Sequence, residues 1–241
     1  MADRLINRVY NKPPYQVEPQ ARQLHEKLHI VDLHADTLLW NRDLLVRSAH
    51  GHVDLPRLLE GNIAIQVFGV VTQFPLFFSM NENTGKPDAI TLLVKSQDWP
   101  ERTWNDRMER AVFQAEKLMD RIDKSKGALK LITTRAELEE LLSSRQQGKP
   151  ITGAMLGLEG THALKGNLEN LDRLHGLGFR LIGLNHPFDN EMSGSAHGVE
   201  KYGLTPLGRQ LVQRTQELGM IIDLAHASAQ AIDDTLAIVN T

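Results

Sequence analysis

The chain has 241 residues, which is long enough to bury a substantial core in one domain. Lys plus Arg number 27 against 30 for Asp plus Glu, and a formal net charge of −3 gives no electrostatic basis for binding nucleic acid or an anionic membrane surface. The chain contains no cysteine, so disulfides and thiolate chemistry are excluded, and any metal ion has to be held by His, Asp or Glu.

The amino-terminal stretch 1–20 has no apolar run of the length that a signal sequence needs, and no later stretch reaches the length of a membrane span. From this we expect a cytoplasmic protein with no membrane partner and no nucleic-acid partner.

Short apolar runs along the chain predict buried strands. Because these runs are nearly continuous rather than alternating, they indicate parallel strands covered on both faces. The predicted strands cover 29–36, 62–71, 151–159, 180–186 and 220–226.

Helical patterns follow the predicted strands and carry their own start and stop signals. Thr134 and Glu137 form a capping box, and Gly148 is the expected stop of that helix. A second helix is predicted to end at Gly176 or Gly178, and Thr205 precedes a third as its N-cap. Strands that alternate with helices predict an α/β fold with a parallel sheet or barrel.

The segment 73–127 departs from this alternation. It reads as a loop followed by a long amphipathic helix over 97–123. We expect a helical excursion within a single catalytic barrel domain (1–241), acting as a lid or as an oligomer contact.

Ionisable residues stand at the ends of four predicted strands. His34 and Asp36 end the first, and Glu159, His186 and His226 end later ones. Side chains at the carboxyl ends of parallel strands meet at one edge of the sheet. A lone histidine here is more often structural, and Glu159 alone could cap a helix. Together, their residue types predict a metal site, because imidazole and carboxylate suit zinc and related divalent ions.

Five segments carry a resemblance that extends from about residue 30 to 230: VDLHADT, GHVDLPRLLEGNIAIQVFGV, LGLEGTHAL, GFRLIGLNH and GLTPLGRQLVQRTQELGMIIDLAHAS. With them the chain resembles the membrane (renal-type) dipeptidase family, in a bacterial branch. The resemblance implies a TIM-like (β/α)8 barrel of the amidohydrolase type and two zinc ions per complete site. It also implies a small dipeptide or amide substrate, and a homodimer is a further expectation.

Residue roles follow from the resemblance position by position. His34 and Asp36 are expected to bind one zinc ion, Glu159 to bridge both ions and His226 to bind the second. His186 matches the histidine that contacts the substrate and helps to hold the oxyanion, so Glu159 and His186 are the expected catalytic residues.

Other polar residues of the resembling segments receive lesser roles. Asp54 is read as a structural residue, an N-cap or a loop anchor, and Asp32 as a residue that supports the metal ligands or makes a buried hydrogen bond. His162, His197 and Asp189 lie near the expected mouth of the barrel and are secondary candidates for substrate contact.

Two departures from the family pattern qualify these expectations. The sequence NHPFDNEMSGSAHG that begins at Asn185 differs from the family's usual one, which leaves the choice of substrate open. Only about five strand–helix units are recognisable where such a barrel has about eight. We therefore expect only the amino-terminal part of the barrel, an incomplete second zinc site, and little activity from these residues without roughly a hundred more.

The leading hypothesis is a zinc-dependent dipeptidase that uses a zinc-bridged hydroxide. Hydrolysis of a non-peptide amide, lactam or ester is the alternative within the enzymes. A catalytically incompetent fragment that binds a metal ion or ligand is the alternative outside them.

Overall fold

A computed structural model describes residues 2–239, which divide into two compact units. Among the described residues, unit 1 comprises those up to Phe68 together with Lys117–Met155, and unit 2 comprises Gly69–Glu116 together with those from Leu156 onwards. The α-helices and strands follow in this order: α1 Ala2–Ile6, α2 Pro19–His25, β1 Ile30–Ala35, α3 Leu55–Glu60, β2 Ile63–Val71, α4 Ala89–Ser96, α5 Arg107–Lys124, β3 Leu129–Leu131, α6 Arg135–Gln146, β4 Thr152–Glu159, α7 Glu169–Gly176, β5 Phe179–Gly183, α8 Pro206–Glu217, β6 Ile221–Asp223 and α9 Ala229–Leu236.

Unit 1 is organised around parallel strands in the order β1-β2-β4, with β3 also paired to β4. Ile30 of β1 faces Ile63 of β2, and Leu129 of β3 faces Thr152 of β4. Helix α6 packs against these strands through Leu141, which is fully buried with Ile65 and Ile132 in one apolar cluster.

Unit 2 contains parallel strands in the order β4-β5-β6. Glu159 of β4 faces Gly183 of β5, which in turn faces Asp223 of β6. Its fully buried apolar side chains come from strands and helices alike, as an amphipathic α/β sequence requires; they include Leu156, Leu171, Leu174, Phe179, Ile182 and Leu211.

Local capping signals in the sequence are confirmed. The Thr134 hydroxyl accepts the Glu137 amide at the start of α6, with the reciprocal bond from the backbone to Glu137. The Thr205 hydroxyl accepts the Gly208 amide at 3.0 Å in the first turn of α8. Asp54 is an N-cap as expected, because its carboxylate accepts the Arg57 amide at 3.0 Å.

Three features differ from the sequence expectations. The short strand β3 was not predicted, because Lys130 interrupts its apolar run. The helix expected over 97–123 begins only at Arg107, where the Asp106 carboxylate accepts the amide of Met108 at 2.9 Å and caps the first turn. Strand β1 is not covered on both faces, since Leu33 is 66% exposed.

Within residues 2–239, no α-helix combines the length and the apolar character that crossing a lipid bilayer requires.

Candidate metal centre

Glu159, His186 and His226 come together at the carboxyl ends of β4, β5 and β6. Each offers one ligand atom, and these atoms all lie within 4.8 Å of one another. Oε1 of Glu159 lies 3.1 Å from Nε2 of His226 and 3.3 Å from Nε2 of His186. The structure therefore brings three of the predicted site residues into one group inside unit 2.

Glu159 is the last residue of β4, and the turn after it requires glycine. Gly160 has a φ of 90°, in the left-handed region that favours glycine. A Cβ atom at this position would lie 2.5 Å from Nδ1 of His162 and 3.0 Å from the backbone nitrogen of His186. The close approach of these groups to the Gly160 backbone is what lets β4 end with Glu159 beside the two histidines.

His186 is almost fully buried and is held by the chain that follows β2. Its Nδ1 lies 3.0 Å from the backbone carbonyl oxygen of Gln73. The Gln73 side chain donates to the Gly85 carbonyl at 2.6 Å and accepts from Arg107 at 2.9 Å, so that the residue is held on both sides.

The contact with Gln73 also tests whether the group suits a cation. A carbonyl oxygen only accepts, so Nδ1 of His186 carries the hydrogen, and in the neutral imidazole Nε2 presents its lone pair. That lone pair then lies 3.3 Å from a carboxylate oxygen of Glu159, which also only accepts. Two acceptors at this distance need a proton or a cation between them, and one carboxylate with imidazole nitrogens is a ligand set that suits zinc.

His226 adopts an unusual backbone conformation. Its φ is 65°, and its carbonyl oxygen accepts from the Ala196 amide at 2.8 Å and from the Ser195 hydroxyl at 2.9 Å. Asp189 supports the same loop, because its carboxylate accepts the Ser195 amide at 2.7 Å and the Glu200 amide at 2.8 Å. The contacts of Asp189 are thus those of a residue that shapes the loop.

Two further histidines of unit 2 flank the group. His162 is fully buried, and its Nε2 lies 3.0 Å from the Thr72 hydroxyl. Burial first, and the nearby His186 second, lower the pKa of His162 well below its ordinary value, so this ring is neutral. His197 is half-buried; its Nδ1 lies 2.9 Å from the Met80 carbonyl oxygen, and its ring centroid lies 5.7 Å from that of His226.

In unit 1, His34 and Asp36 contact each other. Nε2 of His34 lies 2.8 Å from Oδ1 of Asp36, and their side chains are 44% and 41% exposed. The Asp32 carboxylate accepts the backbone amide of His34 at 3.1 Å, so its interaction is local to β1. The roles of His34 and Asp36 as metal ligands, and that of Asp32 as their support, stay predictions.

Sequence reasoning missed the residues that follow β2. Thr72 bonds His162, Gln73 holds His186, and the Phe74 ring centroid lies 5.3 Å from that of His186. A signal was present, since the rule that functional residues follow the carboxyl ends of parallel strands applies to β2 as well. The signal is weak for these three residues, because none of them is a typical metal ligand.

Solved structures with similar folds include a metallopeptidase and a probable dipeptidase. A metallopeptidase from Rhodobacter sphaeroides, solved with a phosphinate mimic of the dipeptide L-Ala-D-Ala, matches with a TM-score of 0.68 and 23% identity over 89% of this chain and 63% of that one. The probable dipeptidase PvdM from Pseudomonas aeruginosa matches with a TM-score of 0.69 and 17% identity, covering 91% of this chain and 52% of that one. With these matches, the predicted α/β fold with a parallel sheet, corresponding to part of a TIM-like barrel, is confirmed.

Comparison of the sequence with curated proteins and family models gives the same result. The dipeptidase tcpJ of Claviceps purpurea is 26% identical over 240 residues, which are 96% of this chain and 50% of that protein. The chain thus spans about half the length of this curated relative. The model of the membrane dipeptidase family, peptidase family M19, matches residues 18–241. The chain belongs to this family of metallopeptidases, as the sequence motifs predicted.

Proposed function

We propose that this chain supplies the metal-binding and substrate-binding residues of a zinc-dependent hydrolase that cleaves the amide bond of dipeptides. The observation that carries the proposal is the convergence of Glu159, His186 and His226, with their ligand atoms within 4.8 Å of one another, in a member of a metallopeptidase family. The group contains no hydroxyl or thiol nucleophile, which favours metal-assisted hydrolysis.

Each residue of the group has a distinct proposed role. Glu159 and His226 hold the metal ion, because their ligand atoms are the closest pair at 3.1 Å. A divalent cation bound there supplies a Lewis acid that polarises the substrate carbonyl and makes a water molecule more acidic.

His186 binds the oxygen of the scissile carbonyl. The Gln73 carbonyl fixes the hydrogen on Nδ1, so Nε2 faces the site, and burial of the ring keeps this orientation. Once protonated at Nε2, the ring donates a hydrogen bond to the negative charge that develops on that oxygen.

The ligand roles of His34 and Asp36 rest on the sequence motif and the family resemblance. We propose that they bind the first of two zinc ions and that Glu159 serves both ions. The direct contact of 2.8 Å between Nε2 of His34 and Oδ1 of Asp36 supports this role, because two ligands of one ion lie near each other. A cytoplasmic location and a homodimer stay predictions of the sequence.

Elemental analysis of the purified protein is the first test, and it also separates the two histidine roles. We expect bound zinc that falls in Glu159→Gln and His226→Gln. We expect bound zinc to persist in His186→Gln, because this histidine binds the substrate carbonyl and not the metal ion. Glu169→Gln and His52→Gln, two exposed positions, are the matched controls.

Hydrolysis is then measured with a panel of dipeptides and acylated amines, which separates a dipeptidase from an amidase of other substrates. Near-zero metal in a well-folded protein would contradict the proposal. Unchanged zinc in Glu159→Gln would show that the ion binds elsewhere.

A further inference from the structure

The segment 74–88, which follows β2 in unit 2, is closed at its base by a buried charged residue. The Asp88 carboxylate accepts the Phe74 amide at 3.2 Å and binds the Arg110 guanidinium at 2.7 Å. Arg110 is 1% exposed and also donates to the Thr72 carbonyl at 2.7 Å. Backbone bonds from Leu76 to the Pro87 carbonyl and from Ala89 to the Phe74 carbonyl complete the closure.

The tip of the same segment is held as well. The Asn83 side chain accepts the Ser79 amide at 2.8 Å and donates to the His197 carbonyl at 3.1 Å. His197 reciprocates through Nδ1, which lies 2.9 Å from the Met80 carbonyl oxygen. Because base and tip are both hydrogen-bonded, the side chains between them are presented in a fixed arrangement.

Two phenylalanines of this segment and three histidines at the candidate metal centre form a cluster of five rings, in which each ring contacts two others. The Phe74 centroid lies 5.3 Å from that of His186 and 5.4 Å from that of Phe78, with which it stacks. Phe78 contacts His197 edge-on at 6.2 Å, His197 lies 5.7 Å from His226, and His226 lies 5.3 Å from His186.

This five-ring cluster leaves apolar surface exposed beside the candidate metal centre. Phe78 is 44% exposed although it contacts two other rings. An exposed aromatic side chain that is held in place next to a polar site offers surface that a bound apolar group would remove from water. Phe77, its neighbour in sequence, is 79% exposed and is the natural comparison.

We propose that Phe74 and Phe78, together with His197, form an apolar subsite that takes a bulky apolar side chain of the substrate, preferentially an aromatic one. The inference rests on the proposed function and deepens it, since it names the substrate class. Stacking and edge-on contacts with the two phenylalanines favour a benzyl group over a methyl group or hydrogen.

The first arm of the test measures binding without hydrolysis. Metal-free protein is titrated with Phe–Gly, Gly–Phe and Gly–Gly, so that the position of the benzyl group is not assumed. We expect at least one benzyl dipeptide to bind about tenfold more tightly than Gly–Gly, which is what burial of part of a ring supplies. In Phe78→Ala the ratio of the Kd for Gly–Gly to the Kd for the benzyl dipeptide falls towards one. In Phe77→Ala this ratio is unchanged.

Phe78→Leu is the second variant, used if Phe78→Ala unfolds, because it keeps apolar volume and removes the ring. The inference is overturned if neither benzyl dipeptide is preferred over Gly–Gly, or if Phe77→Ala lowers the ratio as much as the Phe78 variants do.

The second arm measures hydrolysis of the same dipeptides by the zinc-loaded protein. It distinguishes failure of the proposed function from failure of the apolar subsite. A preference in binding that depends on Phe78, in a protein that neither binds zinc nor hydrolyses any dipeptide, contradicts the proposed function and leaves the subsite standing. Hydrolysis of all three at equal kcat/KM, with no preference in binding, supports the function and overturns the subsite.

Discussion

Helix α5 contributes a buried arginine in unit 2 and a half-buried lysine in unit 1, and each holds a loop of its own unit. In unit 2, Arg110 donates to the Thr72 and Thr103 carbonyls and binds Asp88. In unit 1, Lys117 donates to the carbonyls of Leu38 and Trp40, both at 2.7 Å, in the turn that follows Asp36.

The difference lies in how each cation responds to pH. A guanidinium keeps its charge at any pH at which the protein is folded. Burial, with a smaller contribution from nearby arginines, lowers the pKa of Lys117 to about 7. The comparison teaches that the loop beside the Glu159 group is held by a permanent charge, and the turn after Asp36 by one that titrates near neutral pH.

The largest expected effect comes from removing the carboxylate partner of the permanent cation. Asp88→Ala leaves the Arg110 charge buried without its acid, so the free energy of unfolding should fall by about 3 kcal/mol in urea titrations. Asp172→Ala, which breaks an exposed pair with Arg214, is the control and should cause no measurable change. Equal losses in both variants would remove the distinction between a buried and an exposed pair.

The next effect concerns the proposed metal ligands. Zinc at about a hundredfold excess over its Kd should raise the free energy of unfolding by about 2.7 kcal/mol, because the ion binds the folded chain. Glu159→Gln should remove most of this gain, whereas Asp36→Asn should keep part of it, since Glu159 and His226 remain. Thermal unfolding with and without zinc measures both. A complete loss in Asp36→Asn would show that the unit 2 residues do not hold an ion by themselves.

A third prediction concerns the titrating cation. Below about pH 7, Lys117 is protonated in both states, and the folded state carries the cost of burying the charge. As the pH rises from about 7 towards 10.5, the folded lysine is neutral while the unfolded one still binds its proton. The unfolded state then binds more protons, so stability rises with pH, by at most about 1.4 kcal/mol per pH unit.

Urea titrations of the wild-type protein and Lys117→Met across this pH range measure that contribution. The free energy of unfolding of the wild-type protein should rise with pH relative to that of the variant. Parallel curves would contradict the lowered pKa of Lys117.

The smallest expected effect is a gain in stability. His226 has a φ of 65°, a conformation that costs a residue with a Cβ about 1 kcal/mol and glycine almost nothing. In metal-free protein, His226→Gly should therefore raise the free energy of unfolding by about 0.5–1 kcal/mol. His175→Gly, inside α7, should lower it by about as much. A loss in both variants would show that the contacts of the His226 ring with Glu159 and His186 outweigh the strain of its backbone.

Much of the fold and part of the site were accessible from sequence. Near-continuous apolar runs and caps such as Thr134 and Thr205 specified strands and helices locally, and the carboxyl-end rule pointed to Glu159, His186 and His226. The contributions of Gln73, Asp88 and Arg110 were not accessible. They depend on which loop lies beside which strand, and a glutamine or an arginine in a loop carries no periodic signal that reveals its partner. Strand β3 was missed for a related reason, since its pairing with β4 outweighs its weak local pattern.

The hydrogen bonds that close segment 74–88 have a consequence for engineering. They lie at its base and its tip, so the positions of Leu76, Phe77 and Phe78 can be randomised while Phe74, Asn83, Asp88 and Arg110 are kept. The segment can then be exchanged as a cassette, and a small library at these positions would alter the surface beside the candidate metal centre while β2 and α4 keep their sequences.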